Sequence, residues 1–139
     1  MPQLNFHNLP KETLIETLGI RVTEASPDRV VAEMEVTPKV HQPFGFLHGG
    51  ASVALAETVA SIGAYLAAPE GHTSFGLEIN ANHLRSMQSG KVRAVATPLH
   101  QGRTTHVWSI EIRDEQGRLV CVSRCTLAIV PLERQRGNS

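Results

Sequence analysis

Aromatic side chains are scarce in this 139-residue chain: four Phe, one Trp and one Tyr, or 4% of the residues. That is too few to build a stacking platform for single-stranded nucleic acid. A surplus of either charge is also missing. Thirteen Lys and Arg balance thirteen Asp and Glu, with a pI near 7.1, whereas a nucleic-acid partner calls for a basic excess. Cysteine occurs twice, at Cys121 and Cys125. Four residues apart in an alternating segment, the two share one strand face, where neighbours do not bridge easily, and C-x-x-x-C is not a redox spacing. They read as reduced structural thiols of a cytoplasmic protein. The N-terminus, MPQLNFHNLPKETL, has no basic segment leading into an apolar one, so no secretory signal is read. Repeats, linkers and low-complexity tracts are lacking too, which leaves a single domain over residues 1–139, with its core at about 15–130. A domain of this length buries roughly 68% of its unfolded surface and needs neither disulfide nor metal to fold.

What is present is a long uncharged stretch. From Val40 to Pro69 the only formal charge is Glu57. Ala51 to Ala68 has the length of a membrane helix, but its Ala, Ser, Thr and Gly content and mid-run carboxylate fit a buried helix of a soluble protein better. Before it, Pro10 to Leu18 reads as a short helix stopped by Gly19. Ile20–Glu24 and Arg29–Val36 read as strands about a Ser26-Pro27-Asp28 turn. Thr37–His48 is a loop, and Gly49-Gly50 opens the long helix, which ends near Pro69-Glu70-Gly71.

Four strands follow. Ser74–Arg85 places Phe75, Leu77, Ile79 and Ala81 on one side, and Lys91–Leu99 runs to a turn at His100–Arg103. Thr105–Arg113 and Arg118–Val130 flank a hairpin turn at Asp114–Gly117. The order predicts an α+β fold, an antiparallel sheet lying against and covering one central helix that is apolar on nearly all sides.

Glu57 is the first candidate functional residue, because a carboxylate without a Lys or Arg neighbour is rarely buried. It reads either as a solvated residue on a narrow polar stripe or as a site. Ser61, four residues on, shares its face and is placed to donate a hydrogen bond. Upstream, Gln42 is an uncharged amide on a loop restricted by Pro43 and Gly45. His48-Gly49-Gly50 brings free backbone N–H groups and the positive dipole end to the helix start. An amide donor, helix-start N–H groups and a carboxylate two turns in are the parts of an acyl-transfer site. His48 reads equally well as a cap or a packing residue. Seven His raise metal ligation, but His41, His48 and Glu57 have no H-E-x-x-H or other compact ligand spacing. No G-x-S-x-G elbow offers a Ser nucleophile.

The run Gln42-Pro43-Phe44-Gly45-Phe46-Leu47-His48-Gly49-Gly50-Ala51-Ser52 through Glu57 resembles the hotdog-fold acyl-CoA thioesterases of the PaaI-like, 4-hydroxybenzoyl-CoA thioesterase group. Within it, the sequence is most similar to the bacterial 1,4-dihydroxy-2-naphthoyl-CoA hydrolases and the proofreading thioesterases of enterobactin synthesis. The likeness continues through Gly76–His83, Thr97–His100 and Val107–Ile112. It implies a hotdog fold, with the sheet wrapped around the long helix, and hydrolysis of acyl-CoA, most readily aromatic, without metal or other cofactor. It implies Glu57 as nucleophile or general base, Gln42 near the acyl group, and Gly49 N–H polarising the thioester oxygen. His48 would orient the thioester and Ser61 contact the water or the carboxylate. Coenzyme A would lie over Gly76, over His83, Leu84, Arg85 and Ser86, and over the turn His100, Gln101, Gly102, Arg103, Thr104 and Thr105. Arg85 and Arg103 are the sensible phosphate partners, or else solvated turn residues. The resemblance also implies a site shared between two subunits and a homotetramer built as a dimer of dimers; charge balance and helix composition leave no nucleic-acid or membrane partner expected. A role in menaquinone synthesis is one pathway it leaves open.

Two rival readings remain. A hydroxyacyl-thioester dehydratase would use a His and acid pair at a different spacing. A non-catalytic acyl-CoA sensor would carry a DNA-binding segment, and about 19 residues precede the first strand.

Overall fold

The computed structural model describes residues 12–132. A short helix α1, Leu14–Leu18, closes on Gly19, whose left-handed backbone (φ 73°, ψ 30°) lets its N–H reach the carbonyls of the last turn. Its expected start at Pro10 lies outside the described residues. Strands β1 (Arg21–Ser26) and β2 (Arg29–Glu35) form a hairpin, where Ser26 Oγ donates to Asp28 Oδ1 at 2.9 Å. A 3-10 turn, Pro38–Val40, interrupts the loop that leads to the long helix α2, Gly49–Ala67. The helix stops at Ala68, which is extended (ψ 153°), as the residue before a proline prefers. Strands β3 (His72–His83), β4 (Lys91–Gln101), β5 (Thr105–Arg113) and β6 (Leu119–Pro131) follow.

All six strands pair antiparallel, in the order β1-β2-β4-β5-β6-β3. The concave face closes on α2, whose Leu55, Ala56, Val59 and Ala60 are fully buried. Against them lie Ala32 and Met34 of β2, Ala94 and Ala96 of β4, Ile110 and Ile112 of β5, and Cys125 and Leu127 of β6. Small helix residues let the sheet approach closely. At Gly63 this is obligatory, since a Cβ there would overlap the indole of Trp108. That buried ring keeps its polar edge satisfied, with Nε1 donating to His106 Nδ1 at 3.2 Å. By length and composition α2 is apolar enough to cross a membrane; here it is the core helix of the sheet.

Three expectations are corrected. Phe75 and Leu77 do not face inward with Ile79 and Ala81. A bulge between Gly76 and Glu78 resets the alternation, so Gly76 takes the inward position opposite buried Leu127 while Phe75 and Leu77 are 61% and 64% exposed. The β4–β5 turn comes later than His100, because a second bulge between Pro98 and His100 lets β4 run on to Gln101. The sheet also leaves one face of α2 uncovered: Gly50, Val53, Ala54, Glu57, Thr58, Ser61, Ile62 and Tyr65 line an open groove of about 740 Å³. Among the described residues two edges stay unpaired as well, β1 and the long β3.

Candidate active site

The loop before α2 is shaped by its own amide. Gln42 Oε1 accepts from the N–H groups of Phe44 (2.6 Å) and Phe46 (3.2 Å), while Gln42 N–H donates to Phe46 O at 2.7 Å. Gly45, at φ 87°, makes this tight turn feasible. The side-chain oxygen is therefore occupied, and the amide presents its NH₂ as a donor. The loop is pinned from the β3–β4 connection, with Leu47 N–H donating to Met87 O (2.7 Å) and His41 Nε2 lying 2.9 Å from Gln88 O.

His48 is the N-cap of α2. Its Nδ1 accepts from Gly50 N–H at 2.7 Å, which fixes a neutral ring carrying its proton on Nε2. The expectations that it caps and that it serves a site are thus compatible: Nδ1 caps, and Nε2–H is a donor. Gly49 follows as the first helical residue. The His83 imidazole packs so closely on it that a Cβ would sit 2.9 Å from His83 Nε2. Gln42, Gly49, His83, Leu84, Arg85 and Ser86 line one pocket of about 370 Å³ at the positive end of the helix. His83 therefore sits on the helix start itself rather than only along a cofactor-like tail.

Glu57 lines a separate cavity, the open groove on α2. It is partly exposed, and none of the hydrogen bonds among the described residues reaches its carboxylate. The expected hydrogen bond from Ser61 does not form: Ser61 lies in the same groove, and its contribution is a backbone carbonyl that accepts from Ser74 Oγ at 2.9 Å. Gly76 of β3 packs directly against Glu57, since a Cβ there would collide with Oε2. Cys121 and Cys125 are unpaired and buried. Burial pushes both thiols up, Cys125 to about 12 with repulsion from Glu57 and Glu78 adding to the effect, so neither is a nucleophile near neutrality. Among the described residues no three His, Cys, Asp or Glu side chains gather into a ligand set.

The two halves do not meet within one chain. Gly49 and Glu57 are eight residues apart on one helix, about 12 Å along its axis, whereas a reacting carbonyl must lie about 3 Å from both donor and carboxylate. The expected coenzyme A contacts divide the same way. Leu84 N–H donates to Val120 O, and Ile129 N–H donates to Thr104 O. Those anchor points on β6 are nine residues apart, about 30 Å along the strand. The His83–Ser86 group therefore sits at the helix start, and the His100–Thr105 turn sits at the opposite end of the sheet.

Comparison with known proteins adds a lineage to this geometry. Residues 44–121 match the family described as the thioesterase superfamily. A 1,4-dihydroxy-2-naphthoyl-CoA hydrolase of Listeria monocytogenes is 53% identical, over 84% of this chain and 94% of its own. The proofreading thioesterase EntH of Cronobacter turicensis is 49% identical, over 85% and 86% respectively. The crystal structure of a Haemophilus influenzae thioesterase superposes with a TM-score of 0.86 at 48% identity, covering 91% of this chain and 88% of that one.

Proposed function

The chain belongs to the thioesterase superfamily and is a thioester hydrolase of the hotdog fold acting on acyl-CoA, and from that premise we propose that it cleaves aromatic acyl-CoA at a site formed by two copies. The observation that carries this reading is the 12 Å separation just described. One copy supplies Glu57, Ser61 and the His100–Thr105 turn, and the other supplies Gln42, His48, Gly49 and His83–Ser86.

The unpaired β3 edge supports it. Such an edge is a template for another strand, and this one displays exposed Phe75 and Leu77. Antiparallel pairing of two β3 strands about a two-fold axis near Ile79 and Asn80 sets His83 of one copy opposite Gly76 of the other. Because His83 lies on Gly49 and Gly76 lies on Glu57, the same pairing brings the helix start of one copy to the carboxylate of the other. It also joins the two groups of expected coenzyme A contacts, with Arg85 and Arg103 flanking the phosphates. Pairing of such dimers into a tetramer fits this arrangement.

In the proposed mechanism the thioester oxygen takes the Gly49 N–H at the positive end of α2, where developing negative charge is best stabilised. The Gln42 NH₂ and His48 Nε2–H are the adjoining donors. The Glu57 carboxylate attacks the carbonyl carbon, or takes a proton from the water that does. If Glu57 attacks, the C–S bond breaks to leave an acyl–Glu57 anhydride, which water then hydrolyses to the aromatic acid and the free carboxylate. If water attacks, Glu57 passes the proton it took to the departing thiolate. Coenzyme A leaves as the thiol either way. The chemistry calls on the chain's own groups and on no cofactor. The name of the Listeria relative suggests a 1,4-dihydroxy-2-naphthoyl group, which would belong to menaquinone synthesis; the family resemblance read from the sequence adds (hydroxy)benzoyl and phenylacetyl groups. Two unpaired buried thiols agree with a cytoplasmic setting. Thiol release from a panel of acyl-CoA substrates tests the reading: aryl-CoA should lead in kcat/KM, and a higher value for aliphatic acyl-CoA would reject the aromatic assignment.

A further inference from the structure

Gly76 lies inside a strand, where glycine weakens pairing and offers nothing to pack. Its backbone does not require glycine, because its φ is not among the positive values found at Gly19, Gly45, Gly71, Gly90 and Gly117. What requires it is space. An ideal Cβ at Gly76 would overlap Glu57 Oε2 and lie 3.0 Å from the carboxyl carbon. Immediately after it the strand bulges, between Gly76 and Glu78, a device that re-aims groups beside active sites. The carboxylate itself takes no hydrogen bond from the described residues that would orient it.

We infer that Gly76 is a positioning residue: the bare backbone of β3 is the seat that holds the Glu57 carboxylate at its working height above the sheet. The orientation that hydrogen bonds supply at many catalytic carboxylates is supplied here by steric support from one side. A side chain at residue 76 lifts the carboxylate toward the groove by about the radius of a methyl group. Displacements near 1 Å at a reacting group lower rates by up to about 10²-fold. This inference rests on the catalytic role of Glu57 and replaces the expected contact of Gly76 with coenzyme A.

The experiment is a double-mutant cycle on the full chain, with kcat and KM for benzoyl-CoA read by thiol release and Tm read for each variant. Gly76→Ala fits an extended strand position where the nearest obstacle is the far end of the flexible Glu57 side chain, and it should keep or raise Tm. It should lower kcat by about tenfold or more, with KM within about threefold of the parent. Glu57→Asp draws the carboxylate back by one methylene. The loss it causes should be smaller in the Gly76→Ala background than in the parent, because the shorter acid clears the added methyl. Losses that simply multiply would overturn the assignment, as would a raised KM with unchanged kcat, which would restore Gly76 to coenzyme A binding. Glu57→Ala, run alongside, separates the two levels. An active Glu57→Ala removes the catalytic reading as a whole, whereas an inactive Glu57→Ala with a multiplicative cycle removes only the role of Gly76.

Discussion

Two inactive variants should rescue one another. Glu57→Ala removes the carboxylate and Gln42→Ala removes the amide donor, and in the proposed two-copy site, argued from the separation of about 12 Å between Gly49 and Glu57 along α2, the two groups come from different copies. Refolding an equal mixture gives homodimers and heterodimers in the ratio of about 1:2:1 if the chains associate without preference. Each heterodimer holds one site with both defects and one with neither. About half the dimers then carry one good site out of two, so about a quarter of all sites are intact. Thiol release from benzoyl-CoA should rise from the background of either variant to about a quarter of parental kcat, and titrating the ratio should give a maximum at equal amounts. A refolded mixture no more active than the mean of its two components would refute the shared site, and so would a fully active monomer by light scattering at assay concentration.

Glu57→Ala alone should lower kcat by about 10²–10⁴, the usual worth of a positioned acid or base, with Tm retained because Ala is the best helix former; more than a tenth of parental kcat would exclude Glu57. Gln42→Ala should harm kcat more than KM. Gln42→Glu keeps an oxygen for the Phe44 and Phe46 N–H groups but replaces the NH₂ donor with a negatively charged oxygen, so a kcat no better than that of Gln42→Ala assigns the loss to catalysis rather than to loop order. Gly63→Val drives two methyl groups into the Trp108 ring and should cost about 1–3 kcal/mol by denaturant titration, an effect on Tm that reaches activity only through folding. Burial, then repulsion from His100, holds His106 below its ordinary 6.5, so the unfolded chain takes up that proton at a higher pH than the native one. The corresponding stability is present above about pH 6.5 and is lost as pH falls from there through the lower native value; His106→Gln should flatten Tm over that window.

Much of the fold was legible in the chain's periodicities. Alternation marked all six strands, and the uncharged run from Val40 to Pro69 marked α2, because burial on one face or on most sides writes itself into composition. Glu57 stood out against that run, as its one formal charge. Gln42 and the His48-Gly49 start were readable as donors from local chemistry. The bulges were not readable: an extra residue at Gly76–Glu78 changes which side chains face inward, and it depends on pairing with β6, which is a long-range choice. Helix spacing already put Gly49 and Glu57 too far apart to act on one carbonyl, but only the strand pairing showed that the His83–Ser86 and His100–Thr105 groups sit at opposite ends of the sheet. Gly76 was legible only as a strand glycine. Its purpose, room for a carboxylate from another element, exists only once α2 lies across β3, because an excluded volume belongs to a pair of surfaces and not to either sequence segment.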